Sequence, residues 1–164
     1  MYVSPPLRVL DKLYRAFVLV GSNLQSLFLF WMRVTWGHQF FLAGSSKLAA
    51  IAATAASFAA LQIPVPLFHA YLVAYTEAIG GILLMFGLLT RVAAIPLIIT
   101  MVFAFKLAHA EVFTDLRFLT EPLALVGQPP YPFLITSLLV FIFGPGRISI
   151  DALIKRWAER QEKF

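Results

Sequence analysis

Three ionisable residues stand where an apolar chain tolerates charge least: Arg33, Glu77 and Lys106 each interrupt a long hydrophobic run. A charged side chain at the centre of a bilayer costs roughly 2.5–3.5 kcal/mol on insertion scales, so such residues face a bundle interior or a cavity. Their chemistry is complementary. Arg33 and Lys106 can donate to a carbonyl or an anion, and Glu77 can accept a proton. With about 1.5 Å of rise per residue from one end of each run, Arg33 lies ~14 Å deep, Glu77 ~18 Å and Lys106 ~21 Å. The three are expected to meet in the middle and outer half of the membrane, with Arg33 and Glu77 as a buried pair. Lys106 then leaves an excess positive charge, which an anionic or carbonyl-rich ligand would match.

Histidines add little to this set. His109 follows Lys106 by one helical turn on nearly the same face. His69 falls at the outer interface, and His38 is about 140° from Arg33 around its helix. A haem b between His38 and His109 would need both rings as axial ligands, and a pairing of depths alone does not support it. No metal site is expected, because the three His sit on different elements with few nearby carboxylates.

The composition decides the environment. Of 164 residues, 60% are apolar and 13% charged, against about 25% charged in a soluble domain. Neither a solvated globular surface nor a disordered chain fits these values. The absence of cysteine removes thiol chemistry, Cys-ligated zinc and iron–sulfur sites. The net charge of +5 does not indicate nucleic acid, since the basic residues flank apolar runs and form no stripe among stacking aromatics.

A helix crossing the ~30 Å hydrocarbon core needs about 20 residues. The expected architecture is therefore all-α: an integral membrane four-helix bundle with spans at 24–44, 67–89, 92–110 and about 123–143. The last reaches full length only through Gly127, Pro129, Pro130 and Pro132, where a break or kink is expected. Residues 1–21 and 149–164 pattern as amphipathic helices in the headgroup plane, the first through Leu7, Leu10, Leu13, Tyr14, Phe17 and Val18 against Arg8, Asp11, Lys12 and Arg15, the second through Ile150, Leu153, Ile154 and Trp157 against Lys155, Arg156 and Arg160. Lys47 to Gln62 is alanine-rich and expected as a short helix on the outer surface. No secretory signal peptide is expected, because a long basic segment precedes the first apolar run.

Orientation follows from the basic residues. With both termini cytoplasmic, Arg8, Lys12, Arg15, Arg91, Arg147, Lys155, Arg156, Arg160 and Lys163 lie inside, and only Lys47 and Arg117 outside. The outer loop also carries Glu111, Asp115 and Glu121. On the first helix Ser22, Ser26, Arg33, Gly37, Gly44 and Lys47 fall within about 40° of one line, and on the second Ala70, Glu77, Gly81 and Gly87 do so. Small residues on such stripes let helices approach closely.

Arg33 with FFLAGSSKL (Phe40 to Leu48), TEAIGGILLMFGLLTR (Thr76 to Arg91) and GPGRISID (Gly144 to Asp151) together resemble the DoxX family of small four-helix membrane proteins. The resemblance covers most of the chain, from about Leu24 to Leu153. It implies a bundle in a prokaryotic cytoplasmic membrane, related to subunits of thiosulfate:quinone oxidoreductase or of oxidative-stress complexes. By motif position it carries over Arg33, Gly44, Lys47, Glu77, Gly80, Gly81, Gly87, Thr90 and Arg91. Read from the residues, Gly144 and Pro145 end the fourth helix and Ser149 or Asp151 caps the next. The stretch lacks the Walker pattern of a phosphate loop.

Two functions follow as expectations. In the first, the chain is a quinone-interacting subunit of a membrane oxidoreductase, with Glu77 as proton acceptor and Arg33, Lys47, Lys106 and His109 as contacts to quinone or an anion. Partners would be the lipid bilayer and other membrane or soluble oxidoreductase subunits, or further copies of the chain. In the second, it is a non-enzymatic accessory subunit, or a binder or carrier of a lipid or small anion, and the buried ion pair is structural.

Overall fold

The computed structural model describes residues 5–111 and 120–162, with side chains from Leu10 onward. Arg117 and Asp115 lie outside the described residues, as do the side chains of Leu7 and Arg8. The described residues are helical and contain no strand: α1 Pro5–Ala49, α2 Ile51–Ala60, α3 Pro66–Phe86, α4 Thr90–Ala108, α5 Pro122–Val126, α6 Pro130–Phe143 and α7 Ile150–Gln161.

Helices α1, α3 and α4 are long and apolar enough to cross a membrane. Most of their large apolar side chains point outward. Leu24, Trp31, Phe86, Val92, Ile99 and Phe103 are all about half exposed or more, a surface that only hydrocarbon covers without cost. Helix α6 has 14 residues, about 21 Å of rise, which falls short of the hydrocarbon core by itself.

The first helix differs from its expected form. Instead of an interfacial helix at 1–21 followed by a separate span, α1 runs unbroken for 45 residues. Gly21 is the strongest breaker in the junction, and one helical Gly costs only about 1 kcal/mol. The helix is about 67 Å long, so its N-terminal half extends beyond the bundle. There Leu10, Leu13, Tyr14 and Phe17 are all exposed. The expected break before the fourth apolar segment is present. Gly127 to Pro129 separate α5 from α6, and α6 starts on Pro130, whose missing N–H suits a first helical position.

Packing closes a ring. α1 lies along α3, α3 against α4, α4 against α6, and α6 returns to α1; α2 folds back onto α3. The α1–α3 contact is made by small residues. A Cβ on Gly81 would lie 2.5 Å from the Phe41 nitrogen and 2.6 Å from the Gly37 oxygen, and one on Gly44 would strike the backbone of Ala74 and Ala78. The two backbones therefore touch, and side chains other than hydrogen would force them apart. Across the ring, Phe40, Leu84, Ala93, Leu97 and Met101 form the core. Phe133 of α6 meets Phe40 edge-on at 4.7 Å and Trp36 at 5.2 Å, a geometry favoured by the ring quadrupoles.

Gly81→Ala should lower the thermal unfolding temperature in detergent, corresponding to about 1–3 kcal/mol of overpacking. Gly21→Ala is the control, since a Cβ there meets nothing within 4 Å. It should leave stability unchanged or raise it slightly. Equal responses of the two variants would show that the backbone contact does not set the α1–α3 spacing.

Candidate functional site

The charged residues separate into two clusters. The first sits where α3 turns into α4. Gly87, at φ +67°, closes α3: its amide bonds Leu84 O at 3.1 Å and the Leu88 amide bonds Leu83 O at 3.0 Å, the paired bonds of a Schellman ending. Leu89, also left-handed at φ +47°, starts α4. Its exposed amide and that of Thr90 donate to Asp151 at 2.8 and 2.9 Å, and the Thr90 hydroxyl donates to the same carboxylate at 2.6 Å. Asp151 thus caps α4 from the other end of the sequence, and its own amide donates to Gly87 O at 2.9 Å. Ser149 caps α7 itself, accepting from the Ala152 amide at 3.1 Å.

Arg33 belongs to this cluster. It is fully buried, donates to Leu84 O at 3.2 Å and also bonds Ile148 O. A Cβ on Gly87 would collide with its guanidinium. Arg91 adds a bond to Ile142 O at 3.3 Å. Burial pushes the Asp151 carboxyl up, but the Thr90 hydroxyl, the Thr90 and Leu89 amides and the nearby Arg33 charge outweigh it and hold the group below the ordinary carboxylate range.

The second cluster corrects the expected pairing. Glu77 is 3% exposed and its partner is Lys47, whose Nζ donates to Oε2; Arg33 takes no part. Both residues line a cavity of about 790 Å³ between α1, α2, α3, α4 and the start of α6. Its walls are mainly apolar, with Phe58, Ile63, Leu72, Phe103 and Phe133 among them, and its polar groups are Lys47, Glu77, Thr76, Thr100, His69, Gln62 and Lys106. Lys106 is exposed toward it and has no ion-pair partner among the described residues. The expected set of Arg33, Glu77 and Lys106 is thus not assembled; among the described residues Lys47, Glu77 and Lys106 line the cavity instead.

His109 does not line the cavity. Its Nδ1 stands 3.7 Å from Glu111 Oε1 and its ring meets Phe105 edge-on. His38 is exposed on α1 and lies outside the cavity as well. His69 does line it, with Nδ1 3.3 Å from Val65 O. The cover formed by Phe58 to Pro64 escaped sequence reasoning. Its one local signal is the Pro64–Val65–Pro66 stretch, at the end of a turn in which Gln62 and Val65 take positive φ.

An all-helical membrane protein with an apolar cavity and an ion pair in its wall is the class this geometry defines. The DoxX family model matches residues 28–110, and the chain belongs to that family. The match contains Arg33, Lys47, Glu77, Lys106 and His109 and ends before Gly144 to Asp151. A protein of Bacillus subtilis named "Putative oxidoreductase CatD" is 31% identical over 123 residues, covering 75% of this chain and 84% of that protein. "Uncharacterized membrane protein Rv3486" of Mycobacterium tuberculosis is 33% identical over 105 residues, or 62% of this chain and 64% of the relative. No solved structure matches the chain.

Asp151→Asn should lower stability at neutral pH by about 1.5–3 kcal/mol, the usual worth of charge-assisted bonds. The sign with pH follows from the depressed native value. The carboxylate contributes fully above the unfolded value of about 3.9, and that contribution is lost as pH falls through the lower native one. Thermal unfolding between pH 7 and pH 3 should show a steeper decline for wild type than for Asp151→Asn. Parallel curves would show that the cap carries no acid-sensitive stability.

Proposed function

We propose that the chain is a quinone-interacting subunit of a membrane oxidoreductase system. It spans a prokaryotic cytoplasmic membrane four times, with α5 and α6 together forming the last crossing and both termini inside. The carrying observation is the Lys47–Glu77 pair in the wall of the 790 Å³ apolar cavity. That volume falls in the range of small-molecule sites, which are mostly apolar with a few placed polar groups. Lysine Nζ donors and a carboxylate beside aromatic walls fit a planar dicarbonyl ring on an apolar tail. The oxidoreductase name of the Bacillus subtilis relative supports the same direction.

A quinone bound there would accept two electrons and two protons, the electrons coming from a partner oxidoreductase subunit. The chain's own residues would bind and position. Lys106, which has no ion-pair partner among the described residues, donates to a carbonyl oxygen. Lys47 holds Glu77 toward the cavity, and the Glu77 carboxyl holds or passes a proton at Oε1 or Oε2. The pair that satisfies its own charges favours a second reading, in which Lys47–Glu77 only fixes the helices and the chain is an accessory subunit.

Titration of the purified chain in lipid nanodiscs with a short-tailed ubiquinone, followed by tryptophan fluorescence, separates the two. Lys106→Met should weaken binding about tenfold, the worth of a charged hydrogen bond, without changing the unfolding temperature. Glu77→Gln should keep the fold and abolish quinone turnover with the partner subunit. Unchanged binding and turnover in both variants, with a lowered unfolding temperature for Glu77→Gln, would favour the accessory subunit.

The lack of cysteine makes sidedness directly measurable. In intact cells Ala60→Cys should react with an impermeant maleimide and Arg160→Cys should not. The reverse pattern would invert the orientation, and reaction of both would exclude an odd number of crossings between them.

A further inference from the structure

A second hollow, of about 780 Å³, lies between α1 and α7 at the end of the molecule that holds Asp151. Its floor is Ser26 and Leu29 of α1, both nearly buried, with Gly146 against Ser26 O. Four charged residues face it: Arg147, Lys155, Arg156 and Glu159. Glu159 stands 3.9 Å from Lys155, so three cations meet one carboxylate. Both guanidiniums are anchored: Arg147 Nη1 donates to Asn23 Oδ1 at 2.9 Å, and Arg156 Nη2 donates to the Arg147 backbone carbonyl at 3.2 Å. Each uses one of five donors, which leaves the others for an acceptor-rich group. Phosphate is a group that arginine forks bind in matching geometry.

The depth of the hollow selects the source of that phosphate. Phe143, the last residue of α6, forms one lip and is 55% exposed. Asp151, on the same helix as the cations, is bonded to the α3–α4 turn. The hollow therefore sits level with the helix ends, where hydrocarbon gives way to headgroups. On α7 the large apolar residues Leu153, Ile154 and Trp157 are also exposed, as in a helix lying in the interface. A ligand here meets cations on one side and an apolar helix end on the other.

We propose that this hollow is a binding site for one anionic phospholipid, its phosphate between Arg147 and Arg156 and its acyl chains along α6 past Phe143. The site is separate from the cavity at Glu77 and does not rest on the quinone reading.

The test is native mass spectrometry of the full chain in detergent, titrated with phosphatidylglycerol or with phosphatidylcholine of the same acyl chains. One phosphatidylglycerol should bind about tenfold more tightly than phosphatidylcholine, and Arg156→Gln should remove that preference. Lys155→Gln should weaken it as well. Lys155 has a side chain 78% exposed, so this variant tests the site without endangering the fold. Arg160→Gln removes the same charge from the same helix outside the hollow and should change nothing. An equal loss in Arg160→Gln would overturn the proposal in favour of diffuse attraction. So would equal affinity for phosphatidylcholine, or full displacement of the lipid by millimolar inorganic phosphate.

Discussion

A fully buried guanidinium needs acceptors for its donors, and Arg33 finds two by joining three distant stretches of chain, while its Nε–H has none among the described residues. It rises from α1, bonds the Leu84 carbonyl near the end of α3, and bonds Ile148 just before α7. Gly87 is shaped around it, with no room for a Cβ. The same corner provides Asp151 as a negative charge nearby and as the cap of α4. Removing one member would strand donors or a charge in a region that water reaches poorly, which costs more than the bond itself is worth. The turn between α3 and α4, the approach of α7 and the packing of α1 on α3 all meet at this point.

That arrangement explains why the motif residues divide as they do. Arg33, Gly87, Thr90 and Asp151 build the corner, whereas Lys47 and Glu77 face the cavity. Residues close in type and pattern thus carry different roles, and only their partners distinguish them. GPGRISID is accounted for by the corner: Ser149 starts α7, Asp151 starts α4, and Gly144 and Gly146 take the positive φ that the turns require.

The apolar runs, the break at Gly127 to Pro129 and the small-residue stripes were all legible from residue type and period. The partner of Glu77 was not, and the reason is register. Gly81 lies against Gly37 and Phe41, and Gly44 against Ala74 and Ala78. On antiparallel helices those contacts place Glu77 opposite residues 42 to 43. Lys47 is then about four residues away, or ~6 Å along the axis, and Arg33 about ten residues, or ~15 Å. Depths counted from Leu24 and Leu89 assumed flush helix ends, but α1 has no end at Leu24. Continuous α1 shifts those depths, whereas the stripes set by the helical period alone are buried as expected, Arg33, Gly37 and Gly44 on α1 and Ala70, Glu77, Gly81 and Gly87 at α3. The cavity cover at Phe58 to Pro64 is a long-range return of α2 onto α3, and no local pattern encodes it.

The division of cations has a chemical consequence. In the corner Arg33 gives Nη1 and Nη2 to protein carbonyls, and its Nε–H has no partner among the described residues. In the cavity Lys47 alone neutralises Glu77, and the pair occupies one wall of an otherwise apolar space. Lys106 lines the same space and meets no carboxylate among the described residues. An ammonium group beside hydrocarbon needs either water or an acceptor brought by a ligand, since solvation by apolar walls is poor. A neutral ligand with carbonyl oxygens satisfies that donor without adding charge. An anionic one satisfies it and also neutralises the cavity. Both would leave the Lys47–Glu77 pair intact, because the donor they satisfy belongs to a different residue.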